Sequence, residues 1–167
     1  MTEALHPPID PAAVVRHATG DLSGAEALRR QALNNMPSTH PRYPGVLSTL
    51  ALGADRRDRY DAALDLATEA YNFPAPANEA DWWSRTRQDE LPSVQLNAGT
   101  VFLRAAARLR LAGNSEAAAP WQSHAHTALA AARVGIQGLQ DSRRPHQWGI
   151  NLQAREAALA AVEGRPW

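Results

Sequence analysis

The sequence predicts an all-α protein of antiparallel helical hairpins, arranged either as an open α-α array or as a compact up-down helical bundle. Helix start and stop residues recur at short intervals, apolar residues repeat at helical spacing, and alanine makes up roughly a fifth of the chain. Alanine has the highest helix propensity and lets two helix backbones approach closely. No segment has the alternation of β-branched and polar residues that is typical of a strand. We therefore expect a single helical domain over residues 1–167, with a flexible N-terminus over residues 1–10.

Composition excludes several classes of function. The chain has no cysteine, which removes disulfides, thiolate metal ligands and cysteine nucleophiles, and which is compatible with a reducing compartment. The 17 basic residues, all arginine and scattered along the chain, balance 17 acidic residues, so no net charge favours nucleic acid or an anionic membrane. No segment approaches the ~20 apolar residues of a membrane span. We expect a cytoplasmic protein with neither a nucleic-acid nor a membrane partner.

Local signals predict three complete helices in the first half of the chain and the start of another. Ser23 and Glu26 have the spacing of a capping box, in which the serine and the glutamate each satisfy a backbone amide of the first turn. Asp58 is placed to cap the helix that follows it. The complete helices cover residues 11–19, 23–35 and 59–72, and the other begins near residue 44.

The second half of the chain is predicted to begin with a long connection over residues 73–92, with one or two helical turns after Asn78. Pro92 is interpreted as the start of a helix over residues 93–112, which Gly113 ends. Asn114 and Ser115 begin the next helix, which runs to about residue 134. A loop over residues 135–149 and a last helix over residues 151–163 complete the prediction.

One segment carries a recognisable repeat pattern. The pattern begins with a helix that carries two apolar positions and small residues, and a short turn follows it. The next helix contains Tyr60-Asp61-Ala62-Ala63-Leu64, then a later alanine, Tyr71 and Pro74. This pattern resembles one unit of the tetratricopeptide repeat family, and partial matches bring the resemblance to residues 11–37, 44–74 and 98–133. The resemblance implies stacked helical hairpins whose leading helices line a concave, peptide-binding face.

Two groups of residues are candidates for partner binding. Asn97, Arg104 and Arg108 fall on one side of the helix over residues 93–112, roughly opposite Phe102, where they are able to hold a carboxylate through charge-assisted hydrogen bonds. The alternative is that the two arginines form ordinary ion pairs between helices, with Asp61, Asp65 or Glu69. That acidic stripe is itself interpreted as the solvated face of its helix.

The second group is Trp82 and Trp83, which stand side by side in a polar stretch. Adjacent tryptophans cannot both be buried on one helical face, so one is a candidate anchor for a partner. The alternative is that both cover the core while the segment folds back as a lid.

No pattern of catalytic or metal-binding residues was found. His124 and His126 point about 200° apart on a helix, so they cannot share a metal ion. We expect no cofactor. The sequence therefore favours a protein- or peptide-binding module that acts as an adaptor or regulator. The alternatives are a small all-helical enzyme or ligand-binding bundle with a pocket lined by tryptophan and arginine, and a structural homo-oligomer; a homodimer is also left open.

Overall fold

The computed structural model describes residues 22–74, 82–139 and 144–164, and these residues form helices and turns without a β-strand. The all-α fold class is therefore confirmed. None of the described helices combines the length and apolar character needed to cross a membrane. The predicted helix over residues 11–19 lies outside the described residues, as does the N-terminus over residues 1–10. In chain order the helices are α1 (Leu22–Asn34), α2 (Tyr43–Arg56), α3 (Tyr60–Tyr71), α4 (Trp82–Leu111), α5 (Ser115–Gly138) and α6 (Arg144–Val162).

Two short turns define the helical hairpins. Residues 57–59 join α2 to α3, and residues 112–114 join α4 to α5. The second turn has the predicted signals, since Gly113 adopts a φ of 79° and the Asn114 side chain accepts a hydrogen bond from the amide of Ala117 at 3.1 Å. Helix α4 packs against α2, α3, α5 and α6, and is thus the centre of the domain.

In the core, large residues of α4 pack against small residues of the neighbouring helices. Phe102 and Val101 are buried among alanines of the neighbouring helices. At Gly99 a Cβ atom would lie 2.9 Å from the Cδ2 atom of Leu129, so α4 and α5 approach each other more closely here than any side chain on Gly99 would allow. The alanines that surround α4 in this core are Ala51, Ala54, Ala63, Ala67, Ala125, Ala128 and Ala132.

The predicted connection over residues 73–92 was wrong from Trp82 onwards. Helix α4 begins at Trp82 and continues through Pro92. An internal proline removes one backbone hydrogen bond and costs about 3 kcal/mol, which is why Pro92 indicated a helix start. The packing offsets this cost, because Pro92 is buried against Gly135 of α5 and Glu90, two residues earlier, lies 3.5 Å from Arg42.

The predicted loop over residues 135–149 was wrong for most of its length. Helix α5 continues to Gly138, because Ile136 is buried in the core and Gly135 contacts Pro92. Helix α6 begins at Arg144, and Trp148 of its second turn packs against the core. Tertiary contacts thus extend both helices beyond their local signals.

The contact between Pro92 and Gly135 gives a test of the long form of α4. A Cβ atom on residue 135 would lie 2.6 Å from the Cγ atom of Pro92. We expect Gly135→Ala to lower the free energy of unfolding by about 1–3 kcal/mol, through overpacking. Gly53→Ala is the matched control, because nothing lies within 4 Å of a Cβ there, and we expect it to raise stability by about 0.5–1 kcal/mol. Urea unfolding measures both, and equal stability of the two variants would contradict the close packing at Pro92.

Candidate functional site

The candidate site is built around a buried carboxylate. Asp55 lies in the last turn of α2 and is 2% exposed. Its Oδ1 atom accepts a hydrogen bond from Nη1 of Arg108 at 2.7 Å, and its Oδ2 atom lies 2.9 Å from Nη1 of Arg104. The contact with Arg104 is an ion pair whose angles do not make a hydrogen bond, since Oδ2 has no hydrogen-bond partner. One buried carboxylate therefore pairs with two guanidinium groups from α4.

A second polar contact fixes the register of the same two helices. Nδ2 of Asn97 donates to Oγ of Ser48 at 3.1 Å, and Ser48 in turn donates to the carbonyl of Gly45. Asn97 follows Ser48 by 49 positions, and Arg104 follows Asp55 by 104 − 55 = 49 positions. A constant separation means that α2 and α4 run parallel, and the two polar contacts lie about 10 Å apart along them.

Asn97, Arg104 and Arg108 therefore share one side of α4, as the spacing predicts. That side faces α2, and the three residues contact Ser48 and Asp55 there. The expectation of an ion pair between helices correctly named the two arginines, but it named the wrong acids. Their partner is Asp55, whereas the stripe on α3 is exposed to solvent along its length (Asp61, Asp65 and Glu69).

The turn between α2 and α3 completes this side of the site. The guanidinium carbon of Arg108 lies 3.6 Å from the centre of the Tyr60 ring, and the Tyr60 hydroxyl donates to Asp58 at 2.7 Å. Asp58 adopts a φ of 59°, a left-handed conformation that aspartate tolerates better than most residues. The prediction that Asp58 caps α3 was wrong, because Arg59 occupies the cap position and makes no side-chain cap bond.

A second buried carboxylate lies at the same end of α2. Glu26 of α1 is 6% exposed and accepts hydrogen bonds from Arg30 at 2.9 Å, from Arg57 at 2.6 Å and from Arg59. Burial raises the pKa of Glu26, but the hydrogen bonds from the three arginines together lower it by more than burial raises it. The resulting pKa is about 2. The predicted capping box was wrong, because α1 already includes Leu22 and Glu26 binds arginines rather than the helix end.

Further arginines surround these two carboxylates. Arg155 of α6 is half-buried, and its pKa is lowered by burial and by the charges of Arg104 and Arg56. The pKa of Arg29 is lowered in the same way, by burial and by Arg56. Like charges on α2 and α4 therefore act on Arg155, and a like charge on α2 acts on Arg29.

These residues form one arginine cluster. It has eight members, of which five contact Glu26 or Asp55, so these seven side chains carry a formal charge of 5 − 2 = +3, whereas the whole chain has 17 − 17 = 0. The scatter of arginine along the chain gave no sign of this concentration. The eight members are Arg29, Arg30, Arg56, Arg57, Arg59, Arg104, Arg108 and Arg155, and the two acids that five of them contact are Glu26 and Asp55.

Sequence reasoning missed Asp55, Glu26 and Arg155, although a signal existed for two of them. Asp55 follows Ala51 by four positions, and Arg155 follows Leu152 by three, so each shares a helix face with a buried apolar residue. A charged residue on such a face must find a partner or remain near solvent. Glu26 carried no comparable signal.

The tryptophan candidates lie far from the arginine cluster. Trp82 and Trp83 are the first residues of α4, and their side chains lie outside the described part of the structure. Trp83 and Arg104 are separated by about 30 Å along the helix. The two predicted groups of partner-binding residues therefore do not form one site.

The described aromatic cluster also lies away from the arginines. The rings of Trp121 and His124 lie 5.8 Å and 5.7 Å from that of Phe102. Phe102 and Arg104 point about 200° apart on α4, so Trp121 and Arg104 do not line a common pocket. Nδ1 of His126 lies 3.9 Å from Glu163, and no group of three or more potential metal ligands occurs within residues 22–74, 82–139 and 144–164.

Comparisons of the chain with models of protein families, with curated proteins and with solved structures returned no match.

Removing the carboxylate of Asp55 tests its role between α2 and α4. Asp55→Asn leaves Arg104 and Arg108 without a counter-charge, and we expect the free energy of unfolding to fall by about 3 kcal/mol. Asp61→Asn is the control, because Asp61 is exposed on α3, and its effect should stay within about 0.5 kcal/mol. Guanidinium chloride would screen these charges, so urea is the denaturant of choice. Similar midpoints for the two variants would contradict the proposed role of Asp55.

The lowered pKa of Glu26 predicts how stability depends on pH. The pKa falls from 4.5 to about 2 on folding, so the contribution of Glu26 is complete above about pH 4.5 and is lost as the pH falls towards 2. We expect the wild type to be more stable than Glu26→Gln at pH 7, and this difference to shrink between pH 4.5 and pH 2. Circular dichroism during urea titration at each pH measures it. A difference that stays constant down to pH 3 would show that Glu26 is not held ionised by its arginines.

Proposed function

We propose that this protein is a protein- or peptide-binding helical module that acts as an adaptor or regulator. The observation that carries the proposal is the arginine cluster, in which five arginines share two carboxylates, so that these seven side chains carry a formal charge of +3 in a protein with no net charge. The partner contributes an acidic segment. We place this activity in the cytoplasm, whose reducing conditions suit a chain without cysteine.

The order of helix contacts supports a tetratricopeptide-like array. In such an array the leading helices of successive hairpins are parallel neighbours, and the second helices pack behind them. Here α2 and α4 run parallel, α3 packs against both, and α6 packs against α4 and α5. Helices α2, α4 and α6 then take the place of leading helices. Four members of the arginine cluster lie on these three helices: Arg56, Arg104, Arg108 and Arg155.

The exposure of the arginines supports a binding role for part of the cluster. The side chain of Arg104 is 49% exposed and that of Arg108 is 29% exposed, although both lie beside Asp55. Arginine binds carboxylates through paired, charge-assisted hydrogen bonds, so an exposed guanidinium of this kind suits an acidic segment. The excess of positive charge would also accelerate association with an acidic partner at low ionic strength.

The enzyme alternative requires one pocket lined by tryptophan and arginine. Trp121 and Arg104 lie on opposite sides of α4, so these two residues do not line such a pocket.

Selection from a random library of 12-residue peptides tests the proposal. We expect wild-type protein to enrich peptides rich in aspartate and glutamate. Arg104→Ala should bind the selected peptides about 10-fold more weakly, because one charge-assisted contact is lost. Fluorescence anisotropy with labelled peptides gives the dissociation constants.

Arg133→Ala is the matched control. It removes the same charge from an exposed residue of α5, where the guanidinium is bound to Glu156. We expect it to bind the peptides as the wild type does, with the same decrease in affinity as salt is added. Enrichment without acidic residues, or equal binding by Arg104→Ala and wild type, would refute the proposed function.

A further inference from the structure

Three arginines converge on the buried carboxylate of Glu26 from two parts of the fold. Arg30 lies one turn later on α1 and donates through Nε, whereas Arg57 and Arg59 lie in the turn between α2 and α3. Nη1 of Arg57 and Nη2 of Arg59 donate to the same oxygen atom, Oε2. Two hydrogen bonds to one oxygen keep their donor nitrogens within about 6 Å of each other. We call Arg30, Arg57 and Arg59 the Glu26 triad.

The turn between α2 and α3 explains how two members of the triad reach one oxygen. Arg57 and Arg59 are two positions apart, and on a continuous helix such residues point about 200° apart. Asp58, between them in the chain, has a φ of 59° and breaks the helix at this point. The Asp58 carboxylate lowers the positive charge of the turn, and it accepts a hydrogen bond from the Tyr60 hydroxyl.

Glu26 uses only a small part of the binding capacity of the triad. A guanidinium has five N–H donors, and within the part of the chain that the structure describes one donor of each member binds Glu26. The side chains of Arg30, Arg57 and Arg59 are 48%, 35% and 42% exposed, whereas that of Glu26 is 8% exposed. The four side chains carry a formal charge of 3 − 1 = +2. Donors and positive charge therefore remain available to a ligand from solvent.

A ligand that matches the triad must supply several acceptor oxygens and about two negative charges. A guanidinium is served best by two oxygens of one anion. A single carboxylate has two oxygens and one charge, so it offsets half of the excess. A phosphoryl group has three terminal oxygens and a charge of about −1.5 to −2 at neutral pH. It can therefore accept hydrogen bonds from more than one member of the triad and offset the whole excess.

We propose that the Glu26 triad binds a dianionic phosphoryl group, and that the buried carboxylate of Glu26 holds the three guanidiniums together before the ligand arrives. This arrangement lowers the entropy that binding would otherwise lose in ordering three long side chains. The inference rests on the proposed function in one respect, since a phosphorylated residue within the acidic segment of a partner is one source of the group. A small phosphorylated molecule is the other source.

Titration of the full chain with inorganic phosphate tests the subsite. At constant ionic strength, maintained with sodium chloride, we expect phosphate to raise the melting temperature of the wild type, because the ligand binds the folded state. Calorimetric titration should show that Arg59→Gln weakens phosphate binding about 10-fold or more. Arg133→Gln is the matched control, since Arg133 is 47% exposed and is also paired with a glutamate, Glu156. It should bind phosphate as the wild type does.

Two further variants separate binding from a structural role, because Arg59→Gln also removes a donor from Glu26. Arg59→Lys keeps the charge but loses the fork, so it should bind phosphate more weakly than the wild type. Asp58→Asn removes a negative charge beside the triad without changing a contact of Glu26, and asparagine tolerates the left-handed backbone of this position. We expect Asp58→Asn to bind phosphate about 3-fold more tightly.

Two outcomes of these titrations would overturn the inference. Absence of phosphate-specific stabilisation in the wild type would exclude the subsite. Phosphate affinities of Arg59→Lys and Asp58→Asn equal to that of the wild type would show that the triad serves only to hold Glu26. The second outcome is measurable even if Arg59→Gln does not fold.

Two peptides identify the source of the phosphoryl group. A 12-residue acidic peptide with one phosphoserine is compared with the same peptide carrying serine. Tighter binding of the phosphoserine form, lost in Arg59→Gln, would support a phosphorylated partner. Equal binding of the two peptides, with inorganic phosphate still bound, would support a small phosphorylated molecule. Acidic-peptide binding that depends on Arg104, without any phosphate effect, would overturn this inference alone, whereas phosphate binding without acidic-peptide binding would overturn the proposed function alone.

Discussion

A carboxylate inside a helical protein must be surrounded by cations or hydrogen-bond donors, and Asp55 meets this requirement entirely from α4. Its two oxygens face Arg104 and Arg108, and the pair Ser48–Asn97 repeats the contact one step earlier along the same two helices. These contacts set the parallel register of α2 and α4. Because α4 also packs against α3, α5 and α6, the positions of the remaining helices follow from that register. Removing either arginine leaves part of a buried charge uncompensated, which is the costly way to break such a pair.

The fold separates charge that the sequence mixes. The chain as a whole is neutral, yet five arginines of the cluster share two carboxylates, which leaves these seven side chains with a formal charge of +3. Glu26 and Asp55 each bind more than one arginine, so they hold the cluster together without neutralising it. Such an arrangement costs folding energy through repulsion between like charges. Groups of like charges that lower the stability of the folded protein are common at binding sites, where the ligand supplies the missing counter-charge.

Close approach between helices is the second constraint on this molecule. Gly99 and Gly135 leave room for Leu129 and Pro92 at two points along the interface between α4 and α5. The second point explains how a helix passes through an internal proline: the ring is buried against a residue with no side chain, and Glu90, two residues earlier, is held beside Arg42. The long form of α4 places Trp82 and Trp83 on the same continuous helix as Arg104, about 30 Å away. Any partner that contacts both must therefore extend along α4.

The sequence by itself determined the all-α class, and it also determined those helix ends and buried helix faces that depend only on local signals. Gly113 and Asn114 end one helix and begin the next, and the apolar spacing of α2 and α3 identifies their buried faces, because these effects depend on residues within one or two turns. It also placed Asn97, Arg104 and Arg108 on one side of α4. Only the tertiary structure decided that Asp55 is their partner rather than Asp61, since that choice depends on how α2 is rotated against α4. The same holds for Pro92, whose neighbour Gly135 lies 43 positions away in the chain, as 135 − 92 = 43. The arginine cluster, too, exists only in three dimensions, because Arg57 and Arg59 reach Glu26 only through the packing of α1 against α2.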